Sequence, residues 1–233
     1  MRPLISVLFM IVVVSADLPG QTPPRPNRRW EVTWTAGASR GGSAQEIKAA
    51  MSAAGFNSTT PAGCFFVYCW GPIFHPQTSA GGPTTSLAVS YAFRPGYALR
   101  LQWNSGDLGE TLGYHEPWAY LFLRQSVTSV STLFVVSVGG LQAGAGPALH
   151  RPVITRTDGE GGRWRQTKLG MTFHAGLSVP ARSRLFADVA LQYQYVGSMT
   201  AGPFTTADTA ATMPRTRMSF NHHTIKLGLG VRI

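Results

Sequence analysis

The feature that most constrains this chain is a period-two alternation of apolar and polar residues, recurring in segments joined by connections that are alternately short and long. The last segment is the cleanest. Ile225, Leu227, Leu229, Val231 and Ile233 alternate with Thr224, Lys226, Gly228, Gly230 and Arg232. Successive side chains of an extended backbone point to opposite faces, so such a run is a strand with one apolar face. In the segment 185–195, Leu185, Ala187, Val189, Leu191, Tyr193 and Tyr195 oppose Asp188, Ala190, Gln192 and Gln194, and only Phe186 breaks the pattern. The same alternation runs through 169–179, 141–150, 97–103, 86–93 and 30–37. An eighth strand falls within 120–138. Its alternation is poor, and its regular part is placed near 125–138 by register with the strand that follows.

The connections supply the architecture. Arg94-Pro95-Gly96, Gly139-Gly140 and the stretch from Pro180 to Arg184 close tight hairpins. Between them lie long connections at about 39–83, 105–124, 151–167 and 197–220. Strict alternation of short and long links is what an up-and-down barrel has when one rim carries turns and the other carries loops. The expectation is an all-β, eight-stranded antiparallel transmembrane barrel over 30–233, with a short helix in the first long loop.

Composition decides which face meets lipid. Charged residues make up only 13% of the chain and mean hydropathy is +0.02, whereas a water-soluble domain carries about 25% charged residues. A soluble lipocalin-like barrel keeps its apolar side chains inside. Here the polar faces hold Gly, Ala and Ser beside Glu31, Arg100, Asp188, Lys226 and Arg232, which suits the narrow interior of an eight-stranded barrel. Those five charges are expected to form an ion-pair network filling the lumen, since buried charges persist when paired. With the apolar faces outward, Trp30, Phe93, Tyr97, Trp103, Tyr193 and Tyr195 fall near strand ends as an aromatic girdle. Closure leaves no sheet edge, the condition for crossing a bilayer with strands.

The N-terminus reads as an export signal. Arg2, an apolar run over 4–14 and Val14-Ser15-Ala16 make a secretory signal peptide over 1–16, and a run of 11 residues is too short to span a bilayer as a helix. Residues 17–29, rich in Pro and Arg, read as a linker. No stretch of 18 apolar residues follows, so no membrane helix is expected.

The final residues, from Lys226 through Gly228 and Val231 to Ile233, resemble the terminal targeting strand of bacterial outer-membrane barrels, and the departure is Ile233 where that family prefers an aromatic. With the signal peptide and the eight strands, the mature chain resembles a small OmpA/OmpX-type barrel. The resemblance implies a Gram-negative outer membrane, contact with its lipids and folding on the barrel assembly machinery. It names no activity.

The first long loop is the least barrel-like part. Ser43-Ala-Gln-Glu46 is a capping-box pattern, followed by Ile47, Ala50, Met51 and Ala54 on one helical face and Gly55 as a stop, so a helix is expected at about 44–54. It has the options of plugging the lumen, covering the outer rim or simply packing within the loop. Cys64 and Cys69, the two cysteines of the chain, point to a local disulfide in an oxidising compartment; free thiols and metal ligation are the alternatives, with His75 as the one further ligand type nearby. The aromatic segment 64–74 is suited to packing on the rim, entering lipid or binding an apolar partner.

The net charge of +10 raises the question of nucleic acid, but the cations are spread over separate loops and no nucleic-acid fold signature accompanies them. Arg151, Arg156, Arg163, Arg165, Lys168, Arg215 and Arg217 in the third and fourth loops are candidates for lipid-phosphate contacts or solvated charges. His150, His174, His222 and His223 are the groups an enzyme would use, yet no nucleophile elbow, metalloprotease motif or phosphate loop is present. No cofactor, metal or catalytic residue is expected. The reading is a structural or surface-interacting outer-membrane barrel with a side-chain-filled lumen. A narrow pore or small hydrophobic-solute channel is the alternative, and a lipid-modifying enzyme is third.

Overall fold

The computed structural model describes residues 29–57, 63–65, 68–70, 76–115, 119–157, 162–181, 183–206 and 211–233. The expected signal peptide and all of the linker except Arg29 lie outside them, as does most of the 64–74 segment. Eight strands form the wall: β1 (Trp30–Gly41), β2 (Gly82–Arg94), β3 (Tyr97–His115), β4 (Ala119–Val138), β5 (Leu141–Arg156), β6 (Lys168–Val179), β7 (Leu185–Tyr195) and β8 (His222–Arg232). Each pairs antiparallel with its sequence neighbours, and β1 pairs with β8 from Glu31↔Arg232 to Gly41↔His222, closing the ring. Two short strands, Gln77–Ala80 and Gly162–Arg165, attach to β3 and β5.

The alternation sorts as expected. Trp34, Leu87, Leu101, Leu149, Leu191 and Leu227 are exposed on the outer wall, and Leu169 reaches 76%. Thr35, Ser86, Gln102, His174, Asp188 and Lys226 are buried inside. A barrel with leucines outside and amides inside is inverted relative to a water-soluble fold. Phe186, the one residue out of pattern, also points inward and is buried. The Val138–Leu141 hairpin has Gly139 and Gly140 at φ +59° and +94°, the sign a two-residue primed turn requires at both central positions.

The long-loop side departs from expectation. The connection read as a loop over 105–124 is a paired ribbon, because β3 runs on to His115 and β4 begins at Ala119. The register shifts between Asp107 and Gly109, inserting Leu108 as a bulge. Below it the odd-numbered residues Leu99, Leu101 and Trp103 face out. Above it Gly109, Thr111 and Gly113 are the buried set. The fourth loop is likewise built of hairpins, Ser198–Ala201 with Thr216–Ser219 and Phe204–Thr205 with Thr212–Met213.

The helix α1 (Ala44–Ala53) forms where expected, with Ile47 and Met51 buried and Ala50 and Ala54 packed against the same cluster. The capping box does not form. Ser43 makes no side-chain cap on α1; its Oγ donates to the Ser219 carbonyl, while Glu46 Oε2 accepts from the Ser219 N–H at 2.8 Å. The pair that looks like a helix cap is a clamp on the fourth loop.

Candidate functional site

The interior of the wall is a stack of hydrogen-bonded side chains. Arg100, 2% exposed, donates from Nε to Ser90 Oγ at 2.9 Å and from Nη2 to Gln142 Oε1 at 2.8 Å, and its Nη1 meets His174 Nε2 at 2.9 Å. Gln142 passes the chain to Ser178 and Ser178 to Asp188 Oδ1, each at 3.0 Å. Lys226 Nζ donates to Asn104 Oδ1 and, at 2.9 Å, to Gln192 Oε1. Gln192 also donates to Gln102 at 2.9 Å and sits 3.1 Å from His174 Nδ1. The five charges expected to pair with one another therefore do so only in part. Glu31 and Arg232 form an ion pair at 2.6 Å by the short-turn rim, whereas Arg100 reaches Asp188 through Gln142 and Ser178. The amides and hydroxyls carry the connection. The alternating pattern marks them as inward-facing, but it carries no signal of which inward residues on different strands meet.

At the short-turn end, Phe186 lies over Gly230 with the Arg232 guanidinium carbon 4.0 Å from its ring centre, and Arg232 Nη1 donates to the Ser183 carbonyl at 2.9 Å. A cavity of about 10 Å³ remains between Thr33, Arg100, His174 and Asp188, room for about one water molecule.

The long-loop end is closed by an apolar cluster. Ile47 and Met51 of α1, Phe56, Leu108 of β3, Leu121 and Leu123 of β4, Ile154 of β5, and Phe204, Met213 and Phe220 of the fourth loop are buried together. The cluster accounts for part of the poor alternation of β4. Its inward residues are apolar at Leu121 and Leu123 beneath the cap, polar at Ser129 and Ser131, and apolar again at Leu133 and Val135 toward the short turns, while Thr132 lies on the outward face.

A cleft of about 500 Å³ opens on the same rim. β6 and β7 pair from Val179↔Ala187 to Met171↔Tyr195; beyond that, Gly162–Arg165 stays on β5 and Ser198–Ala201 turns to Thr216–Ser219. The wall splits between them. Trp164, Arg165, Gln166, Lys168, Ser198, Met199, Thr200 and Arg217 line the gap.

The other sequence-derived residues are distributed around the wall. At the short-turn rim Phe93 and Tyr97 meet Phe134, and Trp30 meets Tyr91 with ring centres 4.7 Å apart; Phe134 and Tyr91 were not among the expected girdle residues. Tyr193, stacked on Phe173 and 4.7 Å from His223, lies toward the opposite rim with Tyr195. Trp103 is not at a strand end, because β3 continues past it; it sits between Leu87 and Val130, and the next outward position on β3 is Ser105, opposite Thr128. Arg151, Arg163, Arg165, Arg215 and Arg217 are exposed, but Arg156 is buried, so it is not placed for a lipid phosphate. His150, His174 and His222 are buried and His223 faces out. The short hairpin pairs Cys64 directly opposite Cys69 in its backbone register; the cysteine side chains fall outside the described residues.

No family model matches the sequence, and no curated protein matches it. Among solved structures the chain is similar to the outer membrane protein OprG from Pseudomonas aeruginosa, with a TM-score of 0.52 and 8% identity over 88% of this chain and 97% of that one. It is also similar to Neisserial surface protein A (TM-score 0.47, 12% identity, 88% and 97% covered) and to the attachment invasion locus protein Ail of Yersinia pestis (0.45, 11%, 88% and 99%). At such identities the likeness is one of fold.

Proposed function

We propose that this chain, by fold a small outer-membrane-type β-barrel, serves as a closed, non-conducting barrel whose work is done by its outer rim. The observation that supports this is the interior. It is filled by side chains from Arg232 and Phe186 at one end to Asn104 and Lys226, with a cavity of about 10 Å³ beside Arg100, and is roofed by the apolar cluster under α1. A pore needs a continuous wet path, and a small-solute channel needs an apolar one through the wall. The split between the extensions of β6 and β7 is lined mainly by polar and basic residues, which favours the closed reading over both channels.

The exterior supports residence in a bilayer, and the fold supports the bacterial outer membrane, reached through the signal peptide at 1–16 and the barrel assembly machinery. In that oxidising setting Cys64 and Cys69, opposite each other in their hairpin, form a disulfide. The enzyme reading is not favoured. His150, His174 and His222 are buried inside the wall, away from a lipid substrate. A His174→Ala variant is expected to leave the mass of the host's lipid A unchanged.

The test is electrical. The mature protein reconstituted in planar bilayers should show no steady single-channel current, and reproducible conductance from folded, heat-modifiable protein would overturn the proposal.

A further inference from the structure

We propose that the rim cleft between the extensions of β6 and β7 seats the phosphate-bearing sugar headgroup of an outer-leaflet glycolipid. The inference rests on the reading of the chain as a bilayer-embedded barrel and adds what its rim binds.

Charge, height and shape support it. Arg165, Lys168 and Arg217 line the gap, and among the described residues no carboxylate does. Three cations facing one recess repel one another unless an anion is shared between them, and guanidinium groups bind phosphate oxygens in pairs. The height follows from β6. Lys168 immediately precedes Leu169, the most exposed large apolar side chain on the outer wall, and lies on the other face of the strand opposite His150, so the gap in the wall begins about 3 Å along the strand from the apolar band. That is where headgroups lie, which distinguishes this recess from one made for a ligand in bulk water.

The walls suit a sugar. Trp164 is held edge-on to Phe204 with ring centres 4.4 Å apart, which roots it in the apolar cap and leaves a rigid aromatic surface in the cleft. Ser198 and Thr200 supply hydroxyls. Arg217 Nε donates to Ser198 Oγ at 2.7 Å, which ties the guanidinium to the hairpin with one of its five donors and leaves the others for a ligand. The cleft volume, about 500 Å³, lies in the range of small-ligand sites.

The experiment uses the full mature chain in nanodiscs of phosphatidylethanolamine and phosphatidylglycerol, with and without bis-phosphorylated lipid A, and counts retained lipid by native mass spectrometry. Wild type should retain lipid A in preference to phosphatidylglycerol. The triple variant Arg165→Ala/Lys168→Ala/Arg217→Ala should lose at least about tenfold in retention, as should dephosphorylated lipid A with wild type. Arg94→Ala, at the opposite rim, should change little. Competition by inorganic phosphate separates the sources. Displacement of lipid A at millimolar phosphate would show a site for free phosphate and overturn the headgroup assignment. Equal retention by wild type and the triple variant, with both heat-modifiable, would also overturn it. Conductance in bilayers would instead remove the closed-barrel reading and leave this result standing.

Discussion

The guanidinium carbon of Arg232 lies 4.0 Å from the centre of the Phe186 ring, and that ring fills the space a side chain at position 230 would occupy. A Cβ built on Gly230 comes within 2.1 Å of Phe186 Cζ, so the aromatic is accommodated only because its neighbour has no side chain. Gly230→Ala should destabilise the barrel by about 1–3 kcal/mol, the usual cost of overpacking a filled interior. Urea unfolding in lipid vesicles measures it. Phe186→Leu in the same chain should recover part of the loss, and a Gly230→Ala barrel as stable as wild type would contradict the packing described.

The ion pair between Glu31 and Arg232 fastens β1 to β8 where the ring closes. Both side chains are largely shielded, so screening by water is reduced. Glu31→Gln should cost about 1–2 kcal/mol, a charged hydrogen bond exchanged for a neutral one. A double-mutant cycle with Arg232→Met reads the coupling, and additive effects of the two substitutions would show that the pair contributes nothing.

Depth in the bilayer can be measured residue by residue. Leu227 lies midway along β8, facing out between Ala36 and Val189, whereas Tyr195 ends β7 at the loop side. Leu227→Arg should cost about 2–4 kcal/mol and Tyr195→Arg about 0–1 kcal/mol in vesicle-embedded protein. Equal costs at the two positions would mean that the apolar band is not centred where the structure puts it.

The clamp on the fourth loop gives a local prediction. Glu46→Ala removes the acceptor of the Ser219 N–H, so that amide should exchange with solvent faster by about fivefold to tenfold, as loss of roughly 1 kcal/mol implies. Exchange at Gly228 and Lys226, within the wall, should not change. Uniform acceleration would point to global loosening rather than a released loop.

Where each strand touches a single medium on each side, its sequence could be read directly. Residues 224–232 alternate because one face meets hydrocarbon and the other the lumen throughout, and β8 lies over that span. β4 could be placed only from its neighbour's register, since its inner face is apolar at Leu133 and Val135, polar at Ser131 and Ser129, and apolar again at Leu123 and Leu121. The aromatic rim was legible at Phe93 and Tyr97 but not at Phe134, which reaches that rim by lying opposite Leu99 on the next strand. Ser43 and Glu46 carry the spacing of a helix cap, and tertiary contact with Ser219 takes both side chains. The lumen relay joins residues far apart in sequence, such as Arg100 and His174, so no local pattern could announce it.

The extra residue at Leu108 has a consequence for how the two storeys of this molecule change over time. Below it, β3 must satisfy oil on one side and a crowded polar shaft on the other, so each position is answerable to two masters and substitutions are tightly limited. At Leu108 the inward positions change from even to odd numbers, so the same side of the ribbon stays inward, and above it that side is answerable to an ordinary apolar core. The upper storey can therefore drift by the rules of a water-soluble protein, lengthening, shortening or changing its surface, while the lower storey keeps its inverted grammar. A single inserted residue thus marks where one strand passes from the part of the chain that anchors to the part that packs as an ordinary core.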